Sequence, residues 1–168
     1  TYEVTRLGVC QQHDTLWDTL SDEEHMEIYL RIRLGHLYSG SDGWEQYIAN
    51  SIKKVYLEAE GKVVEEYSGG MKRKLSVCIA LYTGARTIFL DEPSTGMDPY
   101  ARRAMWKSIN EALENDRCVL LTTHSMEEAD AVCSRIAIVT NGVLQCIGNG
   151  QHLKNRFGRG YTAEAPDC

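Results

Sequence analysis

Residues 87–98 read TIFLDEPSTGMD, an apolar run that passes straight into two adjacent carboxylates and then a turn, and no other stretch restricts the fold so tightly. Thr87, Ile88, Phe89 and Leu90 predict a strand buried on both faces of a parallel sheet, because a continuous apolar run leaves neither face for water. Pro93, Ser94 and Gly96 end it. Asp91 and Glu92 then stand at the carboxyl end of a central strand, where open α/β sheets place their ligand crevices. A neighbouring pair of carboxylates there can hold Mg²⁺ and orient a water. Taken alone, the same pair is equally a strand end whose acids face solvent or cap the next helix.

The chain before this strand predicts one more strand and three helices. Leu7 to Cys10, with Val4 nearby, reads as a short strand that ends in the polar loop Gln11-Gln12-His13-Asp14. Ser21 and Glu24 form a capping box, so a helix starts near Asp22 and carries Met26, Tyr29, Leu30, Arg33 and Leu37 at helical spacing. A Ser/Gly turn over residues 37–43 leads to a second amphipathic segment with Trp44, Ile48, Ile52, Val55 and Ala59 on one face and Gly61 as its stop. Tyr67-Ser68-Gly69-Gly70-Met71 opens a third helix, in which Leu75, Cys78, Ile79 and Tyr82 keep helical spacing up to Gly84. The paired glycines leave amides of a helix N-terminus uncovered and Ser68 adds a hydroxyl at the cap, which suits a phosphate. By itself the same loop is also a tight entry into a core helix with no ligand.

After the central strand, Asp98 takes the N-cap and Pro99 the first position of a helix whose buried stripe is Met105, Trp106, Ile109 and Leu113. Residues 118–123, CVLLTT, predict another apolar strand that runs to His124. Ser125 and Glu128 give a second capping box for a short helix through Cys133. Residues 135–140 and 143–147 read as two strands joined by Asn141-Gly142, a strong hairpin signal. A last helix over residues 149–158 places Leu153 and Phe157 on one side, and residues 162–168 read as a tail.

Length and charge narrow the function classes. The 168 residues, 19.0 kDa, suit one domain with a real core. A net charge of -6 argues against binding a nucleic-acid duplex, whose phosphates need a basic face, and the short cluster Lys72-Arg73-Lys74 reads as a solvated helix face. The cysteines Cys10, Cys78, Cys118, Cys133, Cys146 and Cys168 contain no C-x-x-C pair, so buried free thiols are expected in place of a zinc site or a disulfide framework. No run approaches the roughly 18 consecutive apolar residues that span a bilayer, and no basic-then-apolar leader opens the chain, so the piece itself is expected to be soluble. It starts without Met and inside strand-like sequence, which is expected of part of something longer.

Three chemistry-bearing loops thus adjoin strand-helix junctions: Ser68-Gly69-Gly70, Asp91-Glu92 and His124. In this order the sequence resembles the nucleotide-binding domain of ABC transporters, with YSGGM similar to the signature loop, TIFLDE to the Walker B strand, STGMD to the D-loop and TTHS to the switch-histidine segment. YSGGMKRKLS, GMDPYARR, THSMEEAD, NGVLQCIG and QHLKNRFG further resemble the A subfamily, the large lipid-handling transporters. The resemblance implies a P-loop NTPase-like α/β fold over residues 1–161, with a parallel sheet incomplete at its N-terminus. It implies a helical signature subdomain over about 20–84 and a catalytic core from residues 1–14 and 85–161. It implies ATP and Mg²⁺ as ligands, Gln12 as the Q-loop glutamine that senses Mg²⁺ and the attacking water, and Asp91 as a Mg²⁺ holder. Glu92 would be the general base and His124 the residue that contacts the γ-phosphate. Asp98 would reach across a dimer, while Ser68, Gly69, Gly70 and Met71 would present the signature loop to ATP held mainly by a second nucleotide-binding domain. The implied partners are that second domain and the transmembrane domains of a parent transporter, and the implied location is the cytosolic face of a membrane.

The sequence departs from the family pattern in two ways. Gln11 stands where the subfamily usually has proline. No G-x-x-x-x-G-K-[ST] occurs anywhere in the chain, nor does the aromatic residue that would stack on adenine, so ATP hydrolysis by the isolated chain is expected to be poor or absent. Two other readings are a soluble ABC-type ATPase of chromosome or translation machinery and a non-catalytic truncated half-site. The interval between Gln12 and Ser68 holds no sustained heptads for a coiled-coil arm, which counts against the first, and Glu92 and His124 are both present, which counts against the second.

Overall fold

Leu7–Cys10 (β1), Thr87–Asp91 (β2) and Cys118–Thr122 (β3) pair in parallel in the order β1-β2-β3, so the strand that carries the two acids is the central one. This computed structural model describes residues 7–35, 43–59, 61–113 and 117–157, and of Phe157 the backbone only. The sequence expectations for Val4, Leu37, the turn over 37–43 apart from Gly43, Cys168 and the tail lie outside the described residues. Cys10, Ile88 and Leu90 point to a covered side of the sheet and are at most 2% exposed. The expectation that β2 is buried on both faces is corrected: Phe89 is exposed, and so are its register neighbours Val9 and Leu120. A continuous apolar run marks a strand that can be covered twice, and it carries no signal of whether both covers lie within the same stretch of chain.

The covering element is Gly69–Tyr82 (α3), which packs against β1, β2 and three other helices. It is apolar around most of its circumference and buries Leu75, Val77, Cys78, Ile79, Ala80, Leu81 and Tyr82. Its approach to β1 is so close that a Cβ on Gly8 would lie 2.4 Å from the Ala80 carbonyl oxygen, so only glycine fits there. The helix ends at Tyr82, and Gly84 then turns the chain at φ +85° beneath Leu34, where an added Cβ would also be crowded.

Asp22–Leu34 (α1) begins at the expected capping box, with Ser21 Oγ accepting from Glu24 N–H and the Glu24 carboxylate accepting from Ser21 N–H at 2.8 Å. Trp44–Lys54 (α2) is shorter than predicted. Tyr56 adopts φ +54°, which breaks the helical path, yet Val55 and Ala59 remain buried as the apolar spacing requires. Gly61 is therefore a later turn and does not stop this helix. A short 3₁₀ turn over Val64–Glu66 leads into α3, and Pro99–Leu113 (α4) buries Met105, Trp106 and Ile109. These helices and the three-stranded sheet belong to one compact unit that runs to His124.

The second unit starts at Ser125. Ser125 Oγ accepts from Glu128 N–H and caps Met126–Val132 (α5). Ile136–Thr140 (β4) and Val143–Gly148 (β5) form an antiparallel hairpin with a register shift between Ile138 and Val139. Asn141 and Gly142 both have positive φ, +51° and +75°, as the predicted two-residue turn demands. Gly150–Phe157 (α6) closes the unit with Leu153 buried. Among the described residues no helix is long and apolar enough to cross a membrane.

Candidate functional site

Parallel pairing brings the predicted loops to one edge of the sheet. Cys10 lies opposite Leu90, and Leu90 opposite Leu121, so Gln11-Gln12, Asp91-Glu92 and Thr123-His124 all leave the carboxyl ends of adjacent strands at the same level. Open parallel sheets gather ligand-binding groups at this edge because every strand delivers its following loop there.

Asp91 is the last residue of β2, and its Oδ1 accepts from the hydroxyl of Thr122, its partner across the ladder. Glu92 follows in the left-handed region at φ +47°, a conformation that costs a non-glycine residue energy and that concentrates at functional sites. Its N–H donates to the Thr122 carbonyl at 3.0 Å, which carries the ladder one residue past the strand. Its carboxylate is held on one oxygen: Oε2 accepts from Thr95 Oγ1 at 2.9 Å and lies 2.8 Å from His124 Nδ1. Oε1 is the oxygen left to take a proton, and Nε2 is the second hydrogen-bonding atom of a ring whose side chain is 77% exposed. Glu92 and His124 therefore form a connected pair at a solvent-facing edge. Gln12 is exposed in the neighbouring loop.

The sequence puts Arg73 on a solvated basic face, which the structure corrects. Arg73 is 3% exposed, and its guanidinium lies among carbonyls of the Gln11-Gln12 loop and of the Asp91-to-Pro93 segment. The apolar spacing of α3 in the sequence runs through Leu75, Cys78 and Tyr82. The fact that the helix is buried nearly all round, so that the position one turn before Val77 is interior, is not visible in a single stripe. Nothing local in the sequence marks Thr95 and Thr122, since their roles depend on a turn geometry and a strand register.

Ser68 caps α3, with Oγ accepting from Met71 N–H at 3.3 Å. Ser68 and Gly69 are exposed and Gly70 and Met71 half-buried, and a Cβ on Gly69 would meet nothing within 4 Å, so the helix start is open to an approaching group. Asp98 is exposed, and its Oδ1 accepts from the N–H groups of Tyr100 and Ala101, both at 2.9 Å. These bonds, that from Ala101 foremost, hold its carboxyl below the usual carboxylate range. Of the thiols, Cys10 and Cys78 are buried as expected, and burial pushes Cys10 up to about 11. Cys118 is exposed, contrary to the expectation of buried thiols, because it lies on the open face of β3 with Leu120.

The donor sets fit the groups that the resemblance implies. The Asp91 carboxylate is exposed and oriented by Thr122, hard oxygen chemistry that suits Mg²⁺. The uncovered start of a 14-residue helix suits a phosphate.

Comparison with known proteins shows what the chain is similar to. The family model described as "AAA domain, putative AbiEii toxin, Type IV TA system" matches residues 18–130. ABC transporter A family member 4 of Arabidopsis thaliana is 47% identical over 94% of the chain, which spans 17% of that relative. The rat ATP-binding cassette sub-family A member 2 is 48% identical over 92% of the chain, which spans 6% of it. The human phospholipid-transporting ATPase ABCA3 is 43% identical over 95% of the chain, which spans 9% of it. A solved ATP-binding subunit of an ABC transporter superposes with a TM-score of 0.75 over 92% of this chain and 63% of its own, at 24% identity. A dimeric ATP-binding cassette in a post-hydrolysis state with ADP and Pi gives the same score over 86% of this chain and 62% of its own, at 20% identity. At such identities these likenesses speak of the fold. With a family model matched over more than half of its length, the chain belongs to the AAA-domain family, and over more than nine-tenths of its length it is similar to A-family ABC transporters.

Proposed function

We propose that the chain is the part of an A-family ABC transporter where ATP is hydrolysed to drive the movement of a lipid or another hydrophobic substrate across a membrane. The observation that carries this reading is the Glu92–His124 pair, 2.8 Å apart at the carboxyl edge of the parallel sheet. Glu92 is the general base: His124 and Thr95 fix Oε2, and Oε1 takes a proton from the attacking water. His124 then offers Nε2 to the γ-phosphate. Asp91, oriented by Thr122, and Gln12 hold Mg²⁺, which when bound neutralises charge on the phosphates. Residues 87–92 act as the Walker B segment. Ser68, Gly69, Gly70 and Met71 act as the signature loop, presenting a hydroxyl, amides and the positive end of the α3 dipole to nucleotide on a second cassette. Asp98 lies on the surface that faces that cassette. That its relatives are transporters supports transmembrane partners and a position on the cytosolic face of a membrane.

The test is Glu92→Gln in the intact polypeptide that carries this chain, reconstituted in vesicles. ATP binding should persist while turnover falls about 100- to 1,000-fold. Unchanged turnover would remove Glu92 from the base position. The 168-residue chain alone contains no G-x-x-x-x-G-K-[ST] and is expected to turn ATP over far more slowly than the intact polypeptide. Equal rates would show that the chain grips nucleotide by other means.

A further inference from the structure

Arg73 projects from the second turn of α3 into the junction between two loops. Its Nη1 donates to the carbonyl oxygen of Gln11, to that of Gln12 at 3.2 Å and to Asp14 Oδ1 at 3.2 Å. Nη2 donates to the carbonyl oxygens of Asp91 and, at 2.9 Å, of Glu92, and Nε donates to that of Pro93 at 3.2 Å. Asp14 alone would partner the buried cation, so the five carbonyls need a separate reason. Successive carbonyls of an extended chain point in opposite directions. To turn the carbonyls of Asp91, Glu92 and Pro93 toward one cation the chain must leave the β region, and it does so at Glu92, at φ +47°. The planar fork of five N–H donors thus fits a backbone shape that a lysine ammonium, a point charge, does not fit.

We propose that Arg73 is a positioning residue: its guanidinium holds Glu92 in the left-handed conformation that brings the carboxylate to His124, and ties the Gln11-Gln12 loop to the same point. The helix that carries Ser68 and Gly69 at its start is thereby joined through one side chain to both loops at the sheet edge. The inference rests on the proposed role of Glu92 for its catalytic consequence, while its geometric content stands without it.

Two readouts test it. In nuclear magnetic resonance of the 168-residue chain, a positive φ brings a residue's own amide and α protons close and gives a strong intraresidue Overhauser effect. Among the described residues Glu92, Tyr56 and Asn141 are the non-glycine residues with positive φ, so the last two serve as internal controls. In Arg73→Lys the effect at Glu92 is expected to weaken while those at Tyr56 and Asn141 persist; an unchanged Glu92 would overturn the proposal. In the intact polypeptide, Arg73→Lys is expected to lower kcat about 100-fold with KM for ATP within about twofold. A kcat within about twofold of the parent, or a rise in KM with kcat unchanged, would count against positioning. If Arg73→Lys does not fold, the parent chain still decides: guanidinium protons of Arg73 resolved as separate, slowly rotating signals are expected, and one averaged signal would overturn the proposal. Glu92→Gln measured beside it separates the two ideas. Turnover that survives Glu92→Gln sinks the assignment of the base without touching the Glu92 backbone result. A dead Glu92→Gln with an unaffected Arg73→Lys sinks Arg73 alone.

Discussion

Asp98 secures the first turn of α4 through one carboxylate oxygen shared by two amides, and that arrangement is strongest while the carboxyl is ionised. Because its folded pKa is depressed, its contribution is complete above the ordinary value of 3.8 and is lost as pH falls through the lower folded value. The parent and an Asp98→Asn chain should therefore differ in Tm at neutral pH and converge in strong acid, which thermal unfolding followed by circular dichroism across that range would show. The thiols make a second residue-level contrast. Burial keeps Cys10 protonated, with a pKa of about 11, whereas Cys118 is exposed at the start of β3. Thiolate is the reactive form, so peptide mapping after brief iodoacetamide treatment at mildly alkaline pH should find Cys118 alkylated and Cys10 intact. Early modification of Cys10 would mean that β1 opens readily.

At the level of elements, the contact between β1 and α3 has the least room. Gly8→Ala would drive a methyl against the Ala80 carbonyl and Ala85, and overpacking of this kind costs about 1–3 kcal/mol. Chemical denaturation should show that loss with the m-value unchanged, whereas a neutral Gly8→Ala would mean that strand and helix part easily. The elements themselves were largely legible: the Ser21-Glu24 box, Asp98-Pro99, the Asn141-Gly142 turn and the strand runs are local patterns, and each appears where local chemistry puts it. The order Gln12, Asp91-Glu92, His124 was legible too, but their meeting at one edge needed the parallel register. What sequence did not disclose depends on distant partners. Arg73 looks like its neighbours Lys72 and Lys74 until two loops close over it, and Thr122 becomes an orienting group only because β3 lies beside Asp91. The early end of α2 is of the same kind, since Val55 and Ala59 keep helical spacing while Tyr56 abandons helical geometry.

For the molecule as a whole, the open side of the parallel sheet sets the behaviour of the isolated chain. Val9, Phe89 and Leu120 lie side by side across the three strands and are exposed by 52%, 39% and 57%, which is an apolar strip that water covers poorly. The purified chain should self-associate with rising concentration, and Val9→Thr with Leu120→Thr should reduce the association seen in light scattering without lowering helix content. Association indifferent to both changes would place the contact elsewhere. The left-handed backbone of Glu92 has a longer-range consequence. Glycine adopts that conformation freely, so Glu92→Gly relieves backbone strain of the order of 1 kcal/mol in the same change that removes the proposed base. In a duplicated gene freed from selection for hydrolysis, that relief would offset part of the cost of losing the Thr95 and His124 contacts, so this position would be a tolerated place to lose the proposed base.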